Sequence, residues 1–341
     1  MRNTAMNMVH KLATRDERVL YIGSDPGAGT LRAMSKEFPR RHLIEGISEA
    51  HIIGMSAGLA MEGFVPYVNT IATFLTRRCY EQVAVDLCLH NLPVRLIANG
   101  GGLVYAPLGP THQAIEDIAI MRALPNMTVV CPADADEAAR LMEQTLDWPG
   151  PIYIRLAKGG DAIVSRAEHG FEIGRAILMR PPGDVLLVTT GIMLQRALAA
   201  ADLLAAQGIR AGILHMHTVK PLDSEALLQS IRGISLLVTL EEHVPSGGLG
   251  SAVAETLIDK LGCGLPAMLR LSLPDRFMHN YGSQDSLLKK HRLSPDAIAE
   301  ARHASHYVTH AKGGRGGVRE VVELVLKAQN RWGRLVEEHS L

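Results

Sequence analysis

Residues 64–102, FVPYVNTIATFLTRRCYEQVAVDLCLHNLPVRLIANGGG, indicate the architecture of the whole chain. They contain an apolar run at 64–69, a longer amphipathic run at 74–90 and a second apolar run at 93–98 shortly before three glycines. The short apolar runs predict strands, and the long run between them predicts a helix. Because neither strand alternates strictly between polar and apolar residues, we expect helices to cover both faces of the sheet.

The same alternation runs through the first part of the chain. Further strands are predicted at residues 19–22, 42–44, 127–130 and 152–156. Further helices are predicted at residues 48–61, 113–122 and 134–146. This rhythm is typical of the α/β class with a doubly wound, mostly parallel sheet.

A second, smaller α/β domain is predicted after a polar segment. Residues 158–180, closed by Pro181-Pro182-Gly183, show no apolar periodicity and predict a linker. The rhythm then resumes with strands at 185–189, 209–216, 236–240 and 268–271, and with helices at 193–206, 224–231 and after Gly247-Gly248. We therefore divide the chain into a first domain (1–160), a linker (161–183) and a second domain (184–341) with an extra helix at 318–336.

Composition and charge exclude several classes of protein. Lysine plus arginine equals aspartate plus glutamate, 35 each, so no net charge attracts the chain to nucleic acid or to an acidic membrane. The N-terminus lacks the apolar core of a secretory signal, and no apolar run reaches the length of a membrane span. The cysteines lack metal-binding or redox spacing and predict buried free thiols; they are Cys79, Cys88, Cys131 and Cys263. A cytoplasmic protein is expected.

Three short motifs follow predicted strands and contain residues suited to chemistry. Glu49 comes after Ser48, a good N-cap residue, at the start of a helix. Phe74 and Arg77 lie in T-F-L-T-R, and His112 lies in G-P-T-H-Q. Because ligands bind beyond the carboxyl ends of the strands in such a sheet, the motifs are expected to converge on one edge. Taken singly, each has a structural alternative: Glu49 complements the helix dipole, Phe74 packs in the core, and His112 caps or packs.

Glycine clusters and two histidines give weaker signals. The glycines at 23–29 and 100–102 match neither a P-loop nor a dinucleotide fingerprint. The segment S-G-G-L-G, residues 246–250, opens a helix that either receives an anion at its N-terminus or packs closely. His215 and His217 alternate along a strand, either as metal ligands or as a packed pair.

The order of these motifs resembles that of the transketolase family. G-I-S-E-A-H, T-F-L-T-R, G-P-T-H-Q, V-x-x-P-A-D-A-D-E-A and P-I-Y-I-R-L-A-K-G look like the pyrimidine-binding domain of transketolases. They are also similar to 1-deoxyxylulose-5-phosphate synthases. H-T-V-K-P-L-D (217–223) and E-E-H-V-P-S-G-G-L-G (241–250) resemble the C-terminal domain of the same family. The resemblance extends to about residue 300.

The resemblance implies that the chain binds thiamine diphosphate. In this family Glu49 corresponds to the glutamate that hydrogen-bonds N1′ of the aminopyrimidine ring, so that N4′ removes the proton from thiazolium C2. Phe74 corresponds to the ring that stacks on the pyrimidine. Asp25 corresponds to an acidic residue near the cofactor.

The resemblance also implies substrate contacts, with three departures. Arg77 and His112 match positions near the substrate, and His112 is suited to proton transfer at substrate oxygens. Lys158 stands where the family often has an arginine that binds substrate phosphate; lysine keeps the charge without the bidentate fork. Leu108 replaces a family aspartate, and Gly100 replaces a histidine common in transketolases. An unusual or modified sugar is therefore expected as donor or acceptor.

One feature of the family has no counterpart in this sequence. The diphosphate and its Mg²⁺ are held by a domain carrying G-D-G with an asparagine downstream, whereas Gly160-Asp161 and Gly183-Asp184 lack this context. We expect the magnesium ligands on a separate α-type subunit, which makes this chain the β-type subunit of a split enzyme. A heterotetramer is expected, with self-association through the C-terminal domain.

The predicted function is transfer of a two-carbon ketol unit between sugar phosphates or modified sugars. A related alternative is the β subunit of a 2-oxo acid dehydrogenase first component, which differs in its donor. A third alternative is a non-catalytic binding or regulatory subunit. The presence of Glu49, Phe74 and His112 together argues against it, because a scaffold has no physical need for all three.

Overall fold

The computed structural model describes residues 1–24, 31–262 and 264–304. Asp25, Cys263 and the helix predicted over residues 318–336 lie outside the described residues. The first 299 residues form one compact unit that contains both of the sheets described below.

Twelve strands lie in the described part of the chain. In chain order they are β1 (Val19–Gly23), β2 (His42–Ile44), β3 (Val65–Ile71), β4 (Arg95–Asn99), β5 (Thr128–Val130), β6 (Ile152–Leu156), β7 (Ile177–Arg180), β8 (Val185–Thr189), β9 (Ala211–His215), β10 (Thr218–Lys220), β11 (Leu236–Leu240) and β12 (Ala267–Leu271). Seven form a sheet in the order β10-β5-β6-β4-β3-β1-β2, and five form a second sheet in the order β12-β11-β8-β9-β7. Both sheets are parallel except at one edge, where β10 and β7 run antiparallel to their neighbours.

The helices of the described residues connect these strands. They are α1 (Arg2–Arg15), α2 (Arg32–Glu37), α3 (Glu49–Met61), α4 (Ala72–Thr76), α5 (Tyr80–Gln82), α6 (Asp117–Ala123), α7 (Ala135–Thr145), α8 (Met193–Ala205), α9 (Ser224–Ser230), α10 (Leu249–Leu261), α11 (Gln284–Lys290) and α12 (Pro295–Ala304). A π-helical turn, Val83–Cys88, continues α5. None of the described helices combines the length and the apolar character needed to cross a membrane.

Helices cover both faces of the first sheet, as its unbroken apolar strands predict. Helices α3, α4 and α6 pack on one face around residues such as Ile53 and Leu75. Helices α1 and α7 pack on the other face around residues such as Leu12 and Leu141. The prediction of two mostly parallel α/β sheets is therefore confirmed.

Several predicted helices differ from those observed. The predicted helix over residues 74–90 is interrupted after α4, because the chain turns at Arg77–Cys79 before α5 begins. The predicted helix over residues 113–122 begins only at Asp117, after a short 3₁₀ turn, Pro110–His112. Helix α1 was not predicted, although its buried residues repeat at helical spacing: Ala5, Met6, Val9, Leu12 and Ala13.

The two halves of the chain are joined more closely than the predicted linker suggests. Strand β7 lies inside residues 161–183 and forms an edge of the second sheet. Strand β10, from the second half, pairs with β5 and forms an edge of the first sheet. The domain limits 1–160 and 184–341 stay a prediction.

The histidine pair of the second half lies against the first half. His215 Nε2 and Glu137 Oε2 of α7 are 3.0 Å apart, with both side chains fully buried. The His217 ring stacks on Phe171 with ring centroids 4.1 Å apart. Among the described residues, no group of three or more His, Cys, Asp or Glu side chains is arranged to hold a metal ion. The two histidines are a packed pair at the junction of the halves.

Burial of His217 predicts that the protein loses stability in mild acid. Desolvation lowers the pKa of His217 to about 4 from an ordinary 6.5, although nearby Glu137 partly opposes the shift. At pH 5 His217 is protonated in the unfolded chain but stays neutral in the folded chain. The contribution of His217 should therefore lower the free energy of unfolding by about 2 kcal/mol between pH 7 and pH 5. Urea denaturation of His217→Gln should show this part of the pH dependence removed. The same substitution at exposed His90 should leave it unchanged.

Candidate active site

A cleft of about 170 Å³ lies at the carboxyl ends of the strands of the first sheet. Its walls come from the ends of β1, β3 and β4 and from the beginning of α3, the edge at which ligands bind in doubly wound sheets. Polar and aromatic residues that line the cleft include Ser24, Glu49, Asn69, Phe74, Asn99 and Tyr105. Two of the predicted site residues, Glu49 and Phe74, therefore share one cleft.

Glu49 is the first residue of α3 and is only 1% exposed. Its Oε2 accepts a hydrogen bond of 2.7 Å from Arg78 Nη1, whereas its buried Oε1 has no partner among the described residues. Ser48 occupies the N-cap position, but its hydroxyl donates to Glu45 O instead of capping the helix. The carboxylate is thus positioned by the helix start and by Arg78, and one oxygen remains available to a ligand.

Phe74 lies on α4, directly after β3, and its ring is half-buried. The His112 ring meets it edge-on with centroids 5.3 Å apart. The Arg78 guanidinium carbon lies over the ring, 4.4 Å from its centroid. The sequence prediction that a carboxylate, an aromatic ring and an imidazole converge is matched by this chain of contacts from Glu49 through Arg78 and Phe74 to His112.

Arg77 stabilises the loop that carries His112. Its guanidinium forms a salt bridge with Glu116 and donates to the backbone oxygens of Gln113 at 2.9 Å and Pro110 at 3.3 Å. In this conformation its charge is already paired, so a direct contact with substrate, as the sequence predicts, requires this network to rearrange.

The remaining described positions that the sequence predicts for the site do not line the cleft. Lys158 is exposed just beyond β6, and Leu108 is 51% exposed on the loop before His112. Gly100 has φ +80, and a Cβ atom there would lie 2.1 Å from the Tyr105 ring. Tyr105 therefore occupies the space that a side chain at position 100 would need, and it lines the cleft.

Two cleft residues that the sequence did not single out are Asn69 and Asn99. Asn99 Nδ2 donates to Asn69 Oδ1 at 2.6 Å, and Asn69 Nδ2 donates to the Tyr21 hydroxyl at 3.0 Å. The buried Asn99 Oδ1 has no partner in the part of the chain that the structure describes. This pair gives the cleft a second hydrogen-bond acceptor, suited to a hydroxyl or amino group. Asparagine at the end of two parallel strands was the signal available in the sequence.

The glycine-rich start of α10 already holds an anion from the chain itself. Glu241 accepts hydrogen bonds from Leu249 N at 2.7 Å and from Gly250 N at 2.9 Å. A Cβ atom at Gly248 would lie 2.0 Å from the same carboxylate. Of the two predictions for this segment, close packing is confirmed, and the backbone N–H groups at the helix start bond the Glu241 side chain of the same chain.

Three of the predicted free thiols are confirmed. Cys79, Cys88 and Cys131 are buried and unpaired with one another. Burial raises the pKa of Cys79 to about 12, and the neighbouring Glu49 carboxylate adds to the shift. A thiol held protonated in this way is a poor nucleophile, so Cys79 is a packing residue behind the cleft.

Both halves of the chain match models of known protein families. The transketolase pyrimidine binding domain matches residues 1–160, and the transketolase C-terminal domain matches residues 174–298. The chain belongs to the transketolase family. The resemblance found in the sequence motifs is therefore confirmed.

Individual transketolase-family proteins are similar over most of the chain. It is 36% identical over 316 residues to the 6-deoxy-6-sulfo-D-fructose transketolase subunit SqwH of Clostridium sp. (strain MSTE9), a match that covers 92% of this chain and 96% of that protein. It is also 36% identical over 293 residues to the 1-deoxy-D-xylulose-5-phosphate synthase of Heliobacterium modesticaldum (strain ATCC 51547 / Ice1), covering 85% of this chain. The match spans only 44% of that synthase.

A solved structure supports the same relationship. A split-gene transketolase, determined as an inactive β4 tetramer, is 34% identical and superposes with a TM-score of 0.80. The match covers 89% of this chain and 96% of that chain. This chain is thus a transketolase-type subunit with the two domains of its family.

Proposed function

We propose that this chain is the β-type subunit of a thiamine diphosphate-dependent transketolase that transfers a two-carbon ketol unit between sugars. A separate α-type subunit supplies the domain that binds the diphosphate and Mg²⁺. The observation that carries the proposal is the Glu49 carboxylate, which is buried in the cleft that the half-buried Phe74 ring also lines and whose Oε1 bonds none of the described residues. A buried acceptor next to an aromatic face suits a flat, nitrogen-containing ring.

The chain's own residues supply binding and proton handling. Thiamine diphosphate, when bound, supplies the carbon nucleophile that breaks a bond beside a carbonyl group. Glu49 Oε1 would hold a ring nitrogen of the pyrimidine by a hydrogen bond, and Phe74 would stack on that ring. His112, half-buried against Phe74, holds or moves a proton at a substrate oxygen. Asp25 stays a proposed neighbour of the cofactor.

The split arrangement is supported by how much of its relatives the chain covers. It spans 96% of a Clostridium protein named as a transketolase subunit and 96% of a split-gene transketolase chain, but only 44% of a longer synthase. We infer that the partner carries G-D-G with a downstream asparagine, and that two copies of each chain associate, with the C-terminal domains in contact.

The proposed substrates are sugars that carry an anionic end group. Lys158 is an exposed cation beyond β6, beside the glycine loop that follows β4. A phosphate or a sulfonate can form an ion pair with a single ammonium group, because this charge pairing does not need the bidentate hydrogen bonds of a guanidinium. The apolar, half-exposed Leu108 offers no carboxylate to a sugar hydroxyl. Both features support a modified sugar, and the Clostridium relative is named for a 6-deoxy-6-sulfo sugar.

Donor specificity tests the proposed reaction. The chain is purified with its α-type partner, loaded with thiamine diphosphate and Mg²⁺, and assayed with ketose phosphates, 6-sulfo ketoses and pyruvate as donors. Transfer from a ketose to an aldose acceptor is the expected result. Turnover confined to pyruvate would replace the proposal with a 2-oxo acid enzyme, and the absence of turnover with every donor would favour a non-catalytic subunit.

Phe74→Ala should weaken thiamine diphosphate binding to the complex by about 1–3 kcal/mol, the size of a lost aromatic contact. The dissociation constant can be measured by calorimetry on the assembled complex. Phe38 provides a matched control, since its ring also lies under an arginine, Arg41, at 4.0 Å but does not line the cleft. Equal affinities for Phe74→Ala, Phe38→Ala and the unsubstituted protein would remove Phe74 from the cofactor site.

A further inference from the structure

Arg78 contacts both side chains that the proposed function assigns to the pyrimidine ring. Its Nη1 donates to Glu49 Oε2 at 2.7 Å, and its guanidinium carbon lies 4.4 Å from the Phe74 ring centroid. The Arg78 side chain is 46% exposed, whereas the Glu49 side chain is 1% exposed. One cationic group therefore bridges a buried carboxylate and a half-buried ring.

Arg78 contacts two residues of the cleft wall without lining the cleft itself. Glu49 and Phe74 are among the described residues that line the cleft, and Arg78 is not. Glu49 Oε2 is occupied by Arg78, while Oε1 is buried without a partner among residues 1–24, 31–262 and 264–304. The arrangement leaves one carboxylate oxygen and one part of the ring for a ligand.

We propose that Arg78 is a positioning residue that holds Glu49 and Phe74 together in the geometry required by the pyrimidine ring. The proposal rests on the proposed function, because it takes thiamine diphosphate as the ligand of the cleft. Fixing Glu49 Oε2 orients the carboxylate, so that Oε1 is presented to the ring nitrogen. The guanidinium over Phe74 restricts the ring before the cofactor arrives.

The chemistry of arginine fits this double contact. A planar guanidinium donates hydrogen bonds in its plane while its face lies against an aromatic ring. A lysine ammonium is a point donor that has no flat face to stack, so it satisfies the carboxylate but not the ring. The turn that interrupts the predicted helix at Arg77–Cys79 places Arg78 between α4 and α5. From there Arg78 reaches Glu49, whereas Arg77 reaches Glu116.

The same contacts allow an opposite prediction. A flat cation stacked on Phe74 and hydrogen-bonded to Glu49 resembles the pyrimidine ring itself. In this alternative, Arg78 occupies the position of the pyrimidine ring, and the cofactor must displace Arg78 in order to bind. Positioning predicts that removal of the guanidinium weakens cofactor binding. Displacement predicts that removal strengthens it.

The test measures thiamine diphosphate affinity, by calorimetry with Mg²⁺ present, on the complex with the α-type partner. Arg78→Met, which keeps the stem and loses the hydrogen bond, should weaken binding by roughly ten- to a hundred-fold, as expected when two side chains lose preorganisation. Arg78→Lys should recover part of the lost affinity. If Arg78→Met does not fold, the affinity of Arg78→Lys relative to the unsubstituted complex tests the same proposal. Arg41→Met is the matched control, because Arg41 lies over Phe38 and bonds only backbone oxygens in the contacts described.

A double-mutant cycle separates positioning from a general effect on structure. If Arg78 acts through Glu49, Arg78→Met should cost much less affinity in a Glu49→Gln background than in the unsubstituted protein. Additive losses, unchanged affinity or tighter binding for Arg78→Met would each overturn the proposal. These outcomes are distinct from failure of the proposed function, in which Glu49→Ala and Phe74→Ala themselves bind the cofactor normally.

Discussion

Glu49→Gln should lower ketol transfer by the assembled complex by about 10²–10⁴-fold, the usual range for loss of a proton-handling group. Glutamine keeps the shape of the side chain, so the buried site in α3 should remain packed. The substitution replaces the charged Glu49 carboxylate, which lines the cleft, with a neutral amide. Glu49→Ala should abolish transfer. Initial rates at saturating thiamine diphosphate measure the effect on chemistry, separately from cofactor affinity.

The control for this experiment is Glu45→Gln, an exposed glutamate four residues before Glu49. It should leave turnover unchanged. Thermal unfolding and the mass of the complex establish whether each variant folds and assembles. Unchanged turnover in Glu49→Gln, with the complex fully formed, would exclude the carboxylate from the mechanism.

Asp117→Ala should lower the free energy of unfolding by about 3–5 kcal/mol, the range for breaking one side of a buried ion pair. Asp117 is fully buried, and its Oδ2 accepts hydrogen bonds of 2.8 Å from both Arg155 Nε and the Tyr153 hydroxyl. Arg155 also donates to Ala114 O and Glu242 O, so it joins the loop behind His112 to the second half of the chain. The substitution leaves a buried guanidinium without its counter-ion.

Urea denaturation monitored by circular dichroism measures this loss. Asp147 provides the matched control, since its side chain is 83% exposed and contacts Arg18 at 3.3 Å. Asp147→Ala should change the free energy of unfolding by less than about 1 kcal/mol. A similarly small change for Asp117→Ala would contradict a structural role for the buried pair.

The sheet architecture was predictable because burial on both faces leaves a signature in each strand. Strand β4 is buried at every position, including Arg95, whose guanidinium donates to the backbone oxygens of Gly150, Trp148 and Leu146. Apolar runs of this length, separated by amphipathic segments, indicate parallel strands with helices between them. The edge strands β7 and β10 escaped prediction, because their short sequences pair antiparallel with partners distant in the chain.

The candidate site was predictable only in part. Glu49, Phe74 and His112 follow strands of one sheet, so the edge rule brings them together without knowledge of side-chain contacts. The role of Arg78 depends on a turn at Arg77–Cys79 that contains neither glycine nor proline, and nothing local in the sequence marks it. Asn99 enters the cleft as the last residue of β4, which the strand pattern could have indicated. Tyr105 enters it through the glycine loop, whose path is set by close contacts at Gly100.

The most direct test of the account is a calorimetric titration of thiamine diphosphate and Mg²⁺ into this chain alone, into its complex with the α-type partner, and into the complex carrying Glu49→Ala. The account predicts Mg²⁺-dependent binding by the complex, little binding by the chain alone, and a large loss of affinity with Glu49→Ala. Equally tight binding by the chain alone would contradict the split site. Binding to the complex that does not depend on Glu49 would contradict the assignment of the pyrimidine-binding half to this chain.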